Sequence, residues 1–132
     1  MERKKIISQA QLQAKASDGR TDYRFDVGLY IFKENGVYVI YSPAFDLSTS
    51  SDSLEGAVPA FYEAFQLHIE YCIEHNTLIE DLKEHGWKVV NKAIKEPTAQ
   101  QLLNSPSMSG ILSGRFNYHY VVSSISIPAY AL

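Results

Sequence analysis

The chain has 132 residues, of which 45% are hydrophobic and 20% charged, and it carries a formal net charge of −3 at pH 7. That length suits one domain with its own core, the composition excludes wholesale disorder, and the acidic balance argues against a general nucleic-acid binder. A single cysteine, Cys72, excludes an intramolecular disulfide and fits a reducing compartment.

The first residues are basic, with Arg3, Lys4 and Lys5, but Ser8, Gln9, Gln11 and Gln13 interrupt before a signal-peptide core builds up. No apolar run approaches the ~20 residues a membrane span requires, so a cytoplasmic protein without membrane attachment is expected. Residues 6–16 alternate, with Ile6, Ala10, Leu12 and Ala14 against Gln9, Gln11, Gln13 and Lys15, which reads as a strand with one wet face. Ser17-Asp18-Gly19-Arg20 is a turn signal. A second strand is expected from Tyr23 through Phe25, Val27 and Leu29 to Phe32, and a third over residues 37–41, which are apolar throughout. Between them, Asn35-Gly36 supplies the positive φ of a tight hairpin.

A corner, Ser42-Pro43-Ala44-Phe45-Asp46-Leu47, and a Ser/Thr/Asp stretch over 48–53 lead to a long amphipathic helix. Leu54, Val58, Phe61, Phe65, Ile69 and Cys72 fall on one helical stripe. Ser53 is the expected N-cap, with Glu55 favourable in the first turn. Pro59 would delete a hydrogen bond inside such a helix, so a kinked or delayed start is expected. The stripe needs a partner surface, and the fold class expected is α+β. A small antiparallel sheet, a three-stranded meander plus a C-terminal strand, is covered by the long helix.

A second helix is signalled by Thr77-Leu78-Ile79-Glu80, which has capping-box form. Gly86 suits a left-handed C-terminal cap with Trp87 folding back onto Leu82. Residues 87–90 read as a short strand, 96–103 as a brief helix with Pro97 in its first turn, and 104–114 as a loop rich in serine. Residues 116–127 are a strong strand signal. Phe116, Tyr118, Tyr120 and Val122 share one parity and Val121, Ile125 and Ile127 the other, so a bulge or burial on both sides is expected. Pro128 ends that strand.

Residues able to carry chemistry are few. His68, Cys72 and His75 could share a helix face as metal ligands, yet no fourth ligand is evident, and histidines flanking a buried stripe are the simpler reading. Cys72 falls on the apolar stripe, where cysteine is usually a small core residue. Asp46 and Asp52 read as corner and capping residues, and Asp81 as a solvated helix position. No catalytic residue, metal or cofactor is therefore expected. Tyr118, Tyr120 and Tyr130 cluster near the C-terminus. They suit either the core or an interface, where tyrosine buries area and keeps a polar tip.

The hairpin, the corner with Pro43, Asp46 and Leu47, and the helix-start residues Asp52, Ser53 and Ala57 together resemble the HicB-type antitoxins. In that family a strand ends in a Pro-Asp-Leu-Pro-Gly-like corner, and Gly-Asp-Thr-x-x-Glu-Ala opens the helix. The likeness spans residues 29–90. This chain departs from it with Ser48-Thr49 after Leu47, Gly56 in place of Glu, and Pro59 in the helix. The resemblance implies one HicB-like domain over residues 1–132, with 91–132 a divergent C-terminal extension. It further implies a partial, non-catalytic RNase H-like ββαβ unit that binds and blocks a HicA-like toxin, a small ribonuclease. Many members also carry a DNA-reading motif. Beyond Trp87 this chain offers none, so DNA binding by the chain alone is not expected. A homo-oligomer, a homodimer paired through β edges, is expected as well, and a self-associating module without a toxin partner is the alternative function.

Overall fold

The computed structural model describes residues 11–15 and 21–132. The turn read at 17–20, the Arg3-Lys4-Lys5 run and much of the first alternating stretch lie outside them. The strands are β1 (Gln11–Lys15), β2 (Thr21–Glu34), β3 (Val37–Ser42), β4 (Leu47–Ser51), β5 (Lys88–Val90), β6 (Ala93–Lys95) and β7 (Tyr118–Pro128). The α-helices are α1 (Ala57–Glu74), α2 (Leu78–Glu84), α3 (Ala99–Leu103) and α4 (Pro106–Gly110). The class is α+β. β1, β2, β3, β4 and β7 form a five-stranded antiparallel sheet, and β5 and β6 a separate hairpin.

β2 is the centre of the sheet. β7 pairs with it without interruption from Asp22↔Pro128 to Phe32↔Tyr118. β3 pairs at the C-terminal end of β2, from Tyr30↔Tyr41 to Glu34↔Val37, and β1 near its start. A strand has two edges, so β1 and β3 share the edge that β7 leaves. Residues 91–132 thus supply the longest partner of the central strand and belong to the body of the fold.

The period of two in β2 sorts its side chains by face. Phe25, Val27, Leu29 and Ile31 join Ile40, Ile125 and Ile127 beneath Phe61, Phe65 and Ile69 of α1. Burying side chains of this size contributes roughly 1.5–3 kcal/mol each, before the entropy of ordering them is set against it. Tyr30 and Phe32 point the other way, into a second cluster with Tyr41, Met108 and Ile111. The sheet is therefore covered on both faces at one end, while Arg24, Asp26, Ser124 and Ser126 are exposed at the other. This explains the parity switch in β7: the register is unbroken, there is no bulge, and burial is two-sided.

Several boundaries differ from the sequence reading. Leu47, read as the end of the corner, and residues 48–51, read as part of the lead-in, form the edge strand β4, because backbone pairing with β3 from Ser42↔Leu47 to Tyr38↔Ser51 outweighs the weak strand preference of serine. The long helix is capped by Gly56, not Ser53, and Leu54 lies exposed outside it. Pro59 sits at the third helical position, where its missing N–H would have had no intrahelical partner. The start is delayed, as expected, but no kink is needed.

Thr77 makes no capping box. Its backbone sits at φ −117°, ψ 7°, and its N–H and hydroxyl both donate to the Cys72 carbonyl (2.8 and 3.4 Å). The end of α2 follows the reading. Gly86 takes φ 94°, and the amides of Gly86 and Trp87 donate to the Lys83 and Leu82 carbonyls. Pro97 precedes the cap of α3 instead of entering its first turn, and Thr98 with Gln101 forms a capping box there. Residues 104–114, read as a loop, contain α4 and then a wider turn over Ile111–Arg115 that ends as Gly114 reaches φ 91°. The signal was the three-residue spacing of Met108 and Ile111, which bury together under Tyr30 and Tyr41. The β5–β6 turn, Asn91-Lys92, has positive φ at both residues, and lysine in that role gave no sequence cue. Among the described residues, no helix is long and apolar enough to cross a membrane.

Candidate interaction surface

The corner and helix-start residues have structural roles. Pro43, Ala44 and Phe45 are buried in the turn that links β3 to β4. Phe45 stacks on Trp87 with centroids 5.3 Å apart and meets Phe65 at 4.9 Å, while the Trp87 indole N–H donates to the Ala44 carbonyl at 2.8 Å. Asp46 adopts φ 48°, a left-handed conformation that aspartate tolerates, and its Oδ1 accepts from the Tyr41 hydroxyl at 2.8 Å. Burial, followed by the bond to Asp46, pushes the Tyr41 phenol above its ordinary range. Leu47 is half-buried and closes the turn opposite Ser42.

Asp52 and Ser53 are exposed. Ser53 Oγ accepts from the Gly56 amide at 3.0 Å, and Ser51 Oγ bridges both backbone groups of Ser53. A β-carbon at Gly56 would lie 2.6 Å from Ser51 Oγ and 3.0 Å from Ser53 Oγ, so a larger residue would have to move those side chains. Ala57 is fully buried against the core. Of these residues, Pro43 and Asp46 line one hollow together with Tyr41 and His85.

The three tyrosines proposed as an interface are not brought together. Tyr118 and Tyr120 are half-buried beside Tyr30, at centroid distances of 5.3 and 5.0 Å. Their hydroxyls are buried without a hydrogen-bond partner among the described residues. Tyr130 lies beyond the opposite end of β7, half exposed, beside a hollow lined by Ile73, Asn76 and Leu78. At about 3.4 Å per residue, the length of β7 separates the two groups.

The outer face of α1 received no attention from the sequence. Leu67 and Tyr71, one helical turn apart, are 63% and 61% exposed. Glu63, Glu70 and Glu74 stand exposed around them, and α1 contains no lysine or arginine. His75 extends this face, stacking on Tyr71 at 4.0 Å with its Nδ1 2.8 Å from the Tyr71 carbonyl. It turns away from His68 and Cys72, so the ligand trio considered from spacing alone does not assemble. A count of side chains at outward helical positions could have revealed the patch.

A further surface is the outer edge of β7, which pairs with β2 alone among the described strands. Tyr62 of α1 reaches it, donating to the Ser124 carbonyl at 2.7 Å and sharing a hydrogen bond with Ser123 Oγ at 2.6 Å. Val122 is 44% exposed beside this edge. Set against protein-family models, curated proteins and solved structures, the chain matches none.

Proposed function

We propose that the chain is a non-enzymatic, HicB-like antitoxin module that binds a small toxin ribonuclease and blocks it sterically. The observation that carries this reading is the outer face of α1, where Leu67 and Tyr71 lie open among Glu63, Glu70 and Glu74 with no basic residue on the helix. An apolar centre in a negative rim fits a basic partner. The hydrophobic pair supplies desolvated anchors, and the charge speeds encounter and disfavours acidic competitors. Support also comes from the order of elements, a hairpin and corner followed by a helix packed on the sheet, which agrees with the resemblance.

Where a small basic protein is encoded beside this reading frame, co-expression with it is the test. A stable complex and relief of growth arrest are expected. Replacing Leu67 or Tyr71 by lysine should weaken the complex at least about tenfold while the free chain melts unchanged, because both side chains are solvent-exposed. Absence of a complex together with unrelieved toxicity rejects the reading.

A second reading, self-association, is favoured by the open edge of β7. Two copies could pair these edges antiparallel across a twofold axis. Light scattering decides: a mass of two chains supports the pairing, and a mass of one chain at high concentration removes it.

A further inference from the structure

Where α2 folds back on α1, two pairs of polar side chains meet. His68 and Cys72 are four residues apart on α1, and Asp81 and His85 are four apart on α2, so each pair lies along one helix face. His68 Nε2 is 2.9 Å from Asp81 Oδ2 and 3.8 Å from Cys72 Sγ. All three donor atoms lie within 4.8 Å of one another. Cys72 is buried, while the side chains of His68 and Asp81 are 25% and 17% exposed, so the group sits at the floor of a surface hollow.

The geometry separates two uses of these residues. In a Cys-His-Asp relay the carboxylate holds one ring nitrogen and the thiol faces the other. Here one nitrogen, Nε2, faces both the sulfur and the carboxylate oxygen. A nitrogen, a sulfur and an oxygen within 4.8 Å of one another are a donor set that a tetrahedral cation uses.

We propose that His68 Nε2, Cys72 Sγ and the Asp81 carboxylate bind a borderline-soft divalent transition ion, with Zn²⁺ the chemical fit, and leave a fourth position open to water. Metal–ligand distances of about 2.0–2.3 Å in a tetrahedron set donor separations of about 3.3–3.6 Å. The sulfur-to-nitrogen distance is already close to that, and the His68–Asp81 contact needs to open by only about 0.4 Å. Thiolate with imidazole selects Zn²⁺ over Mg²⁺ or Ca²⁺, which prefer all-oxygen sets. His85 holds the far side of the site: its Nδ1 lies 2.8 Å from the Asp81 carbonyl and 3.7 Å from Asp81 Oδ2. The bound ion ties α2 to α1 across the turn between them. The hollow also includes Tyr71 of the outer face of α1, and the site does not depend on the antitoxin reading.

The test uses the untagged full chain, stripped with chelator and titrated with Co²⁺ as a coloured stand-in for Zn²⁺. One equivalent should produce tetrahedral visible bands and a thiolate-to-cobalt charge-transfer band, both displaced by Zn²⁺. Cys72→Ser should abolish the charge-transfer band, and His68→Gln and Asp81→Asn should each weaken binding at least about tenfold. His75→Gln, which lies outside the cluster, should bind as the parent does. Circular dichroism checks each fold. If Cys72→Ser does not fold, His68→Gln decides, because that side chain is partly exposed. A cobalt spectrum without the thiolate band, or undiminished affinity in His68→Gln, overturns the proposal.

Discussion

At Gly28 the sheet leaves no room for a β-carbon, which would lie 2.5 Å from the Tyr120 hydroxyl oxygen and 2.8–2.9 Å from its ring. The Tyr120 ring lies flat over this glycine, and a larger residue would have to displace it from the cluster around Tyr30. Gly28→Ala is expected to destabilise by about 1–3 kcal/mol in urea unfolding, and to be non-additive with Tyr120→Val, which removes the obstacle. Tyr120→Phe should be neutral or stabilising by up to about 1 kcal/mol near pH 7, since the hydroxyl is buried without a partner among the described residues. Burial, with Tyr30 contributing, pushes the Tyr120 phenol far above its ordinary value of 10. The folded chain then keeps a proton that the unfolded chain gives up. Stability is full below about pH 10 and falls as pH rises beyond it. The Tyr120→Phe chain should fall less steeply over that range in pH-dependent unfolding. At Trp87, phenylalanine would keep the ring contacts with Phe25 and Phe45 but leave the Ala44 carbonyl without its donor. A loss of about 1–3 kcal/mol is expected by denaturant titration.

α1 shows how an element tolerates a residue that sequence rules place against it. Pro59 falls inside the first turn, so Pro59→Ala should shift stability by no more than about 1 kcal/mol. Phe61→Ala, one turn below on the fully buried stripe, should remove about 3–5 kcal/mol. Thermal melts of the two variants side by side test whether the stripe or the helix start governs the element. The stripe from Phe61 to Cys72 was legible because period and burial coincide, and the end of α2 at Gly86 because only a left-handed residue closes it. β4 and α4 were not legible. Each is held by contacts far away in sequence, β4 by the ladder with β3 and α4 by Met108 beneath Tyr30 and Tyr41.

In the whole molecule the last strand is a partner of the middle one. A chain ending at residue 115 would lose the strand that pairs with β2 at eleven positions and would uncover Phe25, Val27 and Leu29. Such a chain is expected to show no cooperative unfolding transition, as circular dichroism against urea would reveal. Survival of a cooperative fold without residues 116–132 would instead make them the appendage that the resemblance implies. The candidate surfaces also belong to this scale. The acidic face of α1 and the His68-Cys72-Asp81 cluster meet at Tyr71, which lines the same hollow, so they are told apart by readout, partner binding for the first and the cobalt spectrum for the second.

The α+β class, the central hairpin, the helix that roofs the sheet, and the covering of both sheet faces hinted at by the parity of 116–127 can be read from the residues alone. Those features are local, written in periods of two and of about 3.6 and in the residues that close turns. The strand that β7 joins, the parting of Tyr130 from Tyr118 and Tyr120, and the meeting of Asp81, not His75, with His68 and Cys72 emerge only on folding. These outcomes depend on how helices and strands distant in the chain are brought together, and no spacing along a single element records that.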